Sequence, residues 1–167
     1  MWWSDRRNTF LGLGVALALA GCGFAPVYGP QGDGGRLQSA INVQAPDTRD
    51  EQLLTRRIEE RLGRGSRFRL THELDISEEP LAIDASNIAS RVNLVGRVSF
   101  ALYPGGPVDD DATPLMTGRT TAFTGYSTTG STVATRAAAR DARERLATIL
   151  ADRIVARLLG AAGDLPE

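Results

Sequence analysis

From Ile88 to Tyr103 apolar and polar residues change places with a period of two. Ile88, Val92, Leu94, Val98, Phe100 and Leu102 fall on one side, and Arg91, Asn93, Arg97 and Ser99 on the other. Successive side chains of an extended chain point to opposite faces, so this run predicts a long strand with one dry face and one wet face. A strand of that kind cannot bury its apolar face alone. The rest of the chain must supply sheet neighbours and a layer that covers one side of the sheet.

The neighbours are legible on both sides of the run. Between Arg67 and Ile76 the residues Phe68, Leu70, His72, Leu74 and Ile76 face one way, and Arg67, Arg69, Thr71, Glu73 and Asp75 the other. Threonine and aromatic content make about Leu115 to Tyr126 a further strand, after a turn-rich loop holding Pro104-Gly105-Gly106-Pro107 and Asp109 to Asp111. Leu37 to Ala45 also alternates, with Leu37, Ile41, Val43 and Ala45 on one face, and Pro46 ends it.

Two helical segments can serve as the cover. Thr48 and Glu51 have the spacing of a capping box, in which each side chain satisfies a free amide at a helix start. Leu54, Ile58 and Leu62 then recur every four residues up to Gly63, a C-terminal cap. The second helix starts at Ser131 or Thr132 and runs to about Leu159, with a stripe of Leu146, Leu150, Ile154 and Leu158. Asp141, Glu144 and Asp152 interrupt its arginines, which argues against a membrane-binding helix and for burial against the sheet. The expectation is an α+β two-layer sandwich, a four-stranded sheet with two helices on one face, in the order β-α-β-β-β-α. Periodicity leaves open whether the first two strands are parallel neighbours or lie apart in the sheet.

The N-terminus carries a different signal. Arg6 and Arg7 precede an uncharged run from Phe10 to Ala20, about half the length that spans a bilayer. It ends in Leu19-Ala20-Gly21-Cys22, which resembles the lipobox of bacterial lipoprotein precursors. The expectation is cleavage before Cys22 and lipidation of its thiol. Two or three acyl chains on such a residue hold a protein at a membrane, where one chain binds only marginally. Gly23 stands where an aspartate would, by resemblance to the usual sorting signal, retain the protein at the inner membrane, so the outer membrane is the expected address. The arginine pair admits the general secretion or the twin-arginine route, and the former is preferred.

Cys22 is the only cysteine, so acylation leaves none for a disulfide and the fold must rest on its hydrophobic core. Removing residues 1–21 leaves 146 residues, the size of one domain. Residues 22–36, rich in glycine and proline, read as a tether, 37–160 as a single domain and 161–167 as a C-terminal tail. The mature chain has a net charge near −2, which gives no reason to expect a nucleic-acid partner. Every basic residue is arginine, a side chain suited to phosphate and carboxylate.

Nothing in the sequence assembles a catalytic centre. His72, the lone histidine, lies in the apolar phase of its strand and reads as structural, and without it and Cys22 neither a Ser-His-Asp arrangement nor a histidine-rich metal site can be built. Gly-Tyr-Ser-Thr-Thr-Gly at 125–130 lacks the spacing of a nucleophile elbow, and consecutive aspartates at 109–111 lack the alternation of a calcium loop. The reading is a non-enzyme without cofactor or metal.

The lipobox followed by Cys22-Gly23-Phe24-Ala25-Pro26-Val27-Tyr28, then one domain with this element order and a long C-terminal helix, resembles the LPS-assembly lipoprotein family LptE. The resemblance implies an outer-membrane lipoprotein on the periplasmic face that binds and plugs the LptD β-barrel, assists its assembly and interacts with lipopolysaccharide. Only Cys22, with Gly23 and Phe24, is carried over residue by residue. Arg91 and Arg97 share one phase of the Ile88–Tyr103 strand and Arg119 lies on the next strand, so the three are candidates for a cationic patch against lipid A phosphates, the alternative being ordinary solvent-facing strand charges. A rival function from another class is a periplasmic lipid-transfer accessory lipoprotein that carries an acyl chain in a cavity.

Overall fold

The computed structural model describes residues 33–83, 89–106 and 111–166, all within the compact unit Asp33–Glu167. Cys22 with its lipobox, and Asp109 and Asp110, lie outside the described residues. The elements are a 3-10 turn at Asp33–Leu37, β1 (Ile41–Val43), α1 (Arg49–Leu62), β2 (Phe68–Ile83), β3 (Ala89–Pro104), β4 (Met116–Ser127), α2 (Thr132–Gly160) and a second 3-10 turn at Ala162–Asp164. The expected α+β architecture and order are those observed.

The strands form one mixed sheet in the order β1-β2-β3-β4. β1 lies parallel to β2, reached through the α1 crossover, with Ile41 opposite Phe68 and Val43 opposite Leu70. The arrangement that periodicity left open is thus the adjacent one. β2, β3 and β4 form an antiparallel meander whose registers, Val98 opposite Leu74 and Thr120, run without a bulge.

β1 is shorter than the predicted Leu37–Ala45 strand. Ser39 takes a left-handed conformation (φ 52°), and its N–H bonds the Leu62 carbonyl at 2.7 Å, so the chain turns before it can pair. β2 is longer than predicted, continuing past Ile76 through Ser77-Glu78-Glu79-Pro80 on the strength of its ladder with β3.

The helix ends follow their sequence signals. Thr48 Oγ1 accepts from the Glu51 N–H at 3.2 Å, and the Glu51 carboxylate accepts from the Asp47 and Thr48 N–H groups at 2.9 and 3.0 Å. Gly63 closes α1 at φ 72°, a conformation that disfavours a Cβ. Ser131 caps α2 through the Ala134 N–H.

Both helices lie on one face. Phe68, Leu70, Leu94, Val98, Phe100 and Leu102 of the sheet meet Leu54, Ile58 and Leu62 of α1 and Leu146, Leu150, Ile154 and Leu158 of α2 in one buried cluster. Each such side chain contributes about 1.5–3 kcal/mol by leaving water. Polar ties join the helices at the rim: Asp152 accepts from Arg57 and Arg61 at 3.3 Å each, and Arg143 of α2 binds Asp50 and Glu78 at 2.6 Å each. The last residues close against the first, with Arg36 donating to the Leu165 carbonyl at 3.1 Å and Leu37, Ala162 and Leu165 all buried. Among the described residues no helix is long and apolar enough to cross a membrane.

Candidate functional site

The helices leave the other face of the sheet open. Odd-numbered residues of β2 and β3 point there, and the register places Arg119, Thr121 and Phe123 of β4 beside Ser99, Arg97 and Val95 of β3. Arg91 and Arg97 therefore share one face, and the register of β4 brings Arg119 to the same face. Arg97 stands opposite Thr121 and Arg119 opposite Ser99, a diagonal pair about 7–8 Å apart along the backbone. Arg91 lies six residues further along β3, about 20 Å away. The structure brings two of the three arginines together and leaves the third at the far end. Arg97 is also held by Asp75 at 3.5 Å and by the Ser77 hydroxyl at 3.4 Å.

Arg119 acquires different company from the helix layer. A cleft of about 500 Å³ opens where the β4 edge meets α2, lined by Arg119, Thr120, Thr121, Arg153, Ala156 and Arg157. Three guanidinium groups and no carboxylate line it. Arg153 and Arg157 sit one turn apart on α2 and so project from the same side of the helix, and Arg153 donates to the Thr121 carbonyl. Arg119 also borders a shallow groove of about 570 Å³ that crosses the sheet past Thr71, Glu73, Ser99 and Thr117. It stands at the rim between the cationic cleft and this groove. Arginine forks at such a spot suit a multivalent anion, because each adds charge-assisted hydrogen bonds to an oxyanion.

Two further features frame the site. Phe123, on the open face of the edge strand β4, is 72% exposed. His72 lies in the covered layer, 8% exposed, with its Nε2 3.1 Å from Thr55 Oγ1. Burial pulls its imidazole below the ordinary histidine range, opposed by the carboxylates of Glu51 and Asp47. Its Nδ1 is buried with no hydrogen-bond partner among the described residues. This is the structural histidine that its strand phase predicts.

Arg153 and Arg157 escape a reading from sequence because they look like the solvated side of an amphipathic helix. Their i, i+4 spacing was the available signal, but nothing local places them against a strand more than thirty residues earlier.

The fold has relatives among solved structures. A Caulobacter crescentus CB15 protein superposes with a TM-score of 0.61 at 21% identity, covering 77% of this chain and 95% of its own. Rare lipoprotein B from Shewanella oneidensis gives 0.52 at 13% identity, with coverage of 76% and 97%. A minor lipoprotein from Acinetobacter baumannii gives 0.51 at 18% identity, with coverage of 78% and 94%. No curated protein matches the sequence significantly. The class is thus a four-stranded, two-helix α+β domain whose fold is shared with bacterial lipoproteins. The family model for LptE, lipopolysaccharide-assembly, matches residues 38–158, from the residue after the first 3-10 turn almost to the end of α2. The chain belongs to the LptE family.

Proposed function

We propose that this protein is an outer-membrane lipoprotein, anchored through Cys22 on the periplasmic face, that binds and plugs an LptD-like β-barrel, assists its assembly and takes part in delivering lipopolysaccharide to the surface. Family membership supports the assembly role. The observation that carries the contact with lipopolysaccharide is the cleft of Arg119, Arg153 and Arg157, which offers three arginine forks to lipid A phosphates. Arg97, diagonal to Arg119, extends the cationic surface onto the open face, whereas Arg91 stands apart from it. Acyl carriage inside the domain finds no support: a Cβ placed on Gly96 would come within 2.8 Å of Leu150 Cδ1 and 3.1 Å of Leu146 Cδ2, so the helices and sheet are packed without space for a chain between them there.

The test has two readouts. Mild-detergent pull-down of the tagged lipoprotein from outer membranes is expected to recover a large β-barrel in near-equal amount, and recovery of the lipoprotein alone sinks the plug. Replacing Arg119, Arg153 and Arg157 together by glutamine is expected to weaken binding of purified lipopolysaccharide at least about tenfold, the loss of one or two charge-assisted bonds, while stability falls by no more than about 1 kcal/mol, the loss of the Arg153 bond to the Thr121 carbonyl. Unaltered binding removes the cleft from the reading.

A further inference from the structure

The two long edges of the sheet are finished differently. Along β4 the outward carbonyls of Thr121 and Gly125 are met by α2, through Arg153 and, at 3.3 Å, Arg145. Along β2 the pairing with β1 stops at Leu70. The phase of the remaining edge follows from two bonds: the Phe68 N–H donates to the Ala40 carbonyl at 2.9 Å, and the Leu70 carbonyl accepts from the Gln44 N–H at 2.8 Å. Even-numbered residues of β2 therefore turn their main-chain groups away from β3, and the unbroken register to Ile83 carries this phase along the strand. The N–H and C=O groups of His72, Leu74, Ile76 and Glu78 point outward over about 20 Å, and no main-chain partner meets them among the described residues. Pro80 follows at an outward position, where it has no N–H to leave unpaired.

The side chains along this edge have a two-sided character. On the covered side Leu74 and Ile76 are only partly buried. On the open side Glu73, Asp75 and Glu79 are exposed. Asp75 and Glu78 have cationic partners in Arg97 and Arg143, while no ion pair within the described residues is formed by Glu73 or Glu79.

We propose that the β2 edge from His72 to Glu78 is a docking strand for an extended polypeptide segment with apolar and basic residues in alternation, which adds to the sheet as a further strand. Main-chain bonds supply the attachment and alternate side chains the selectivity, as in strand addition generally. Apolar residues of the incoming segment cover Leu74 and Ile76, and arginines or lysines on its other face meet Glu73 and Glu79. A second copy of this chain is excluded as the occupant, because two such edges would set carboxylates opposite carboxylates. The same charge and Pro80 keep the free edge from pairing with itself.

The test uses the full-length lipoprotein in detergent and three synthetic octapeptides: alternating valine and arginine, alternating valine and glutamate, and the valine–arginine peptide N-methylated at every second amide. Amide exchange resolved by residue is the readout. The His72, Leu74, Ile76 and Glu78 amides are expected to exchange fast in the free protein and to slow when the valine–arginine peptide binds. The glutamate and N-methylated peptides are expected to bind at least about tenfold more weakly, since one lacks the charge match and the other the main-chain donors. In the variant E73R/E79R, which alters two exposed side chains, preference is expected to swing to the glutamate peptide. Slow exchange in the free protein, binding without protection of these four amides, equal binding of the N-methylated peptide, or an unchanged preference in E73R/E79R each overturns the proposal.

Discussion

Phe100 and Gly118 face one another across β3 and β4, and the ring lies over the place where a side chain at 118 would stand. A Cβ on Gly118 would come within 2.7 Å of Phe100 Cε1 and closer still to Cζ. Phe100 is 3% exposed, so the ring has no route to solvent. Gly118→Ala is therefore an overpacking substitution, with a strain of about 1–3 kcal/mol. Alanine's smaller backbone entropy in the unfolded chain returns about 0.4–1 kcal/mol, which leaves a net loss of about 1–2 kcal/mol. Phe100→Leu alone removes ring atoms and opens space, at a cost of about 1–2 kcal/mol. The space it opens is the space the Cβ needs, so the double variant is expected to be more stable than the sum of the two losses by at least about 1 kcal/mol, within the range for residues in contact. Urea unfolding followed by circular dichroism measures all four proteins, and 1 kcal/mol corresponds to about 3–6 °C in thermal midpoint at this size. Additivity within about 0.3 kcal/mol, or a Gly118→Ala protein as stable as the parent, would refute the account of this contact.

Two more predictions follow from groups already described. Burial lowers the pKa of the His72 imidazole in the folded protein, whereas the unfolded chain takes up its proton from about pH 6.5 downward. The unfolded state thus binds more protons below that pH, and stability is expected to fall from about pH 6.5 through the depressed folded pKa. His72→Gln, which can still bond Thr55, should flatten the change in thermal midpoint between pH 7 and 5, and an equal slope in both proteins would show that His72 does not govern it. At the other edge of the sheet, Arg145→Gln with Arg153→Gln uncovers the carbonyls of Gly125 and Thr121. The pair is expected to lower stability by about 1–2 kcal/mol and to promote concentration-dependent association, which sedimentation velocity would detect.

The elements that local chemistry controls were legible from sequence. The reciprocal bonds of Thr48 and Glu51 start α1 where their spacing predicts, and the phases of Phe68 to Ile76 and Val92 to Leu102 assign the covered face correctly. The misjudged boundaries depend on partners. Ser39 leaves the strand path because Leu62, on another element, holds its N–H. The strand read from the period of two stops at Ile76, and Ser77 to Pro80 prolong it because β3 runs beside them. Sheet order depends on where the α1 crossover lands, which no period encodes. Among the arginines, strand phase placed 91 and 97 on one face, but spacing along β3 separates them, and only the tertiary fold brings Arg119 beside Arg97 and supplies Arg153 and Arg157 as its neighbours.

The closure of the two ends of the unit Asp33–Glu167 has a consequence for how the domain comes into being. Leu37 sits in the same buried cluster as Ala162 and Leu165, and Arg36 reaches a carbonyl 129 residues away. A chain that emerges N-terminus first, from a ribosome or through a membrane pore, can zip β2, β3 and β4 into a hairpin stack while later residues are still out of reach. Its opening segment must wait with apolar side chains uncovered until the final turn arrives. Ala162 and Leu165 act as a latch: until they arrive, Leu37 lacks the part of its cover that they supply.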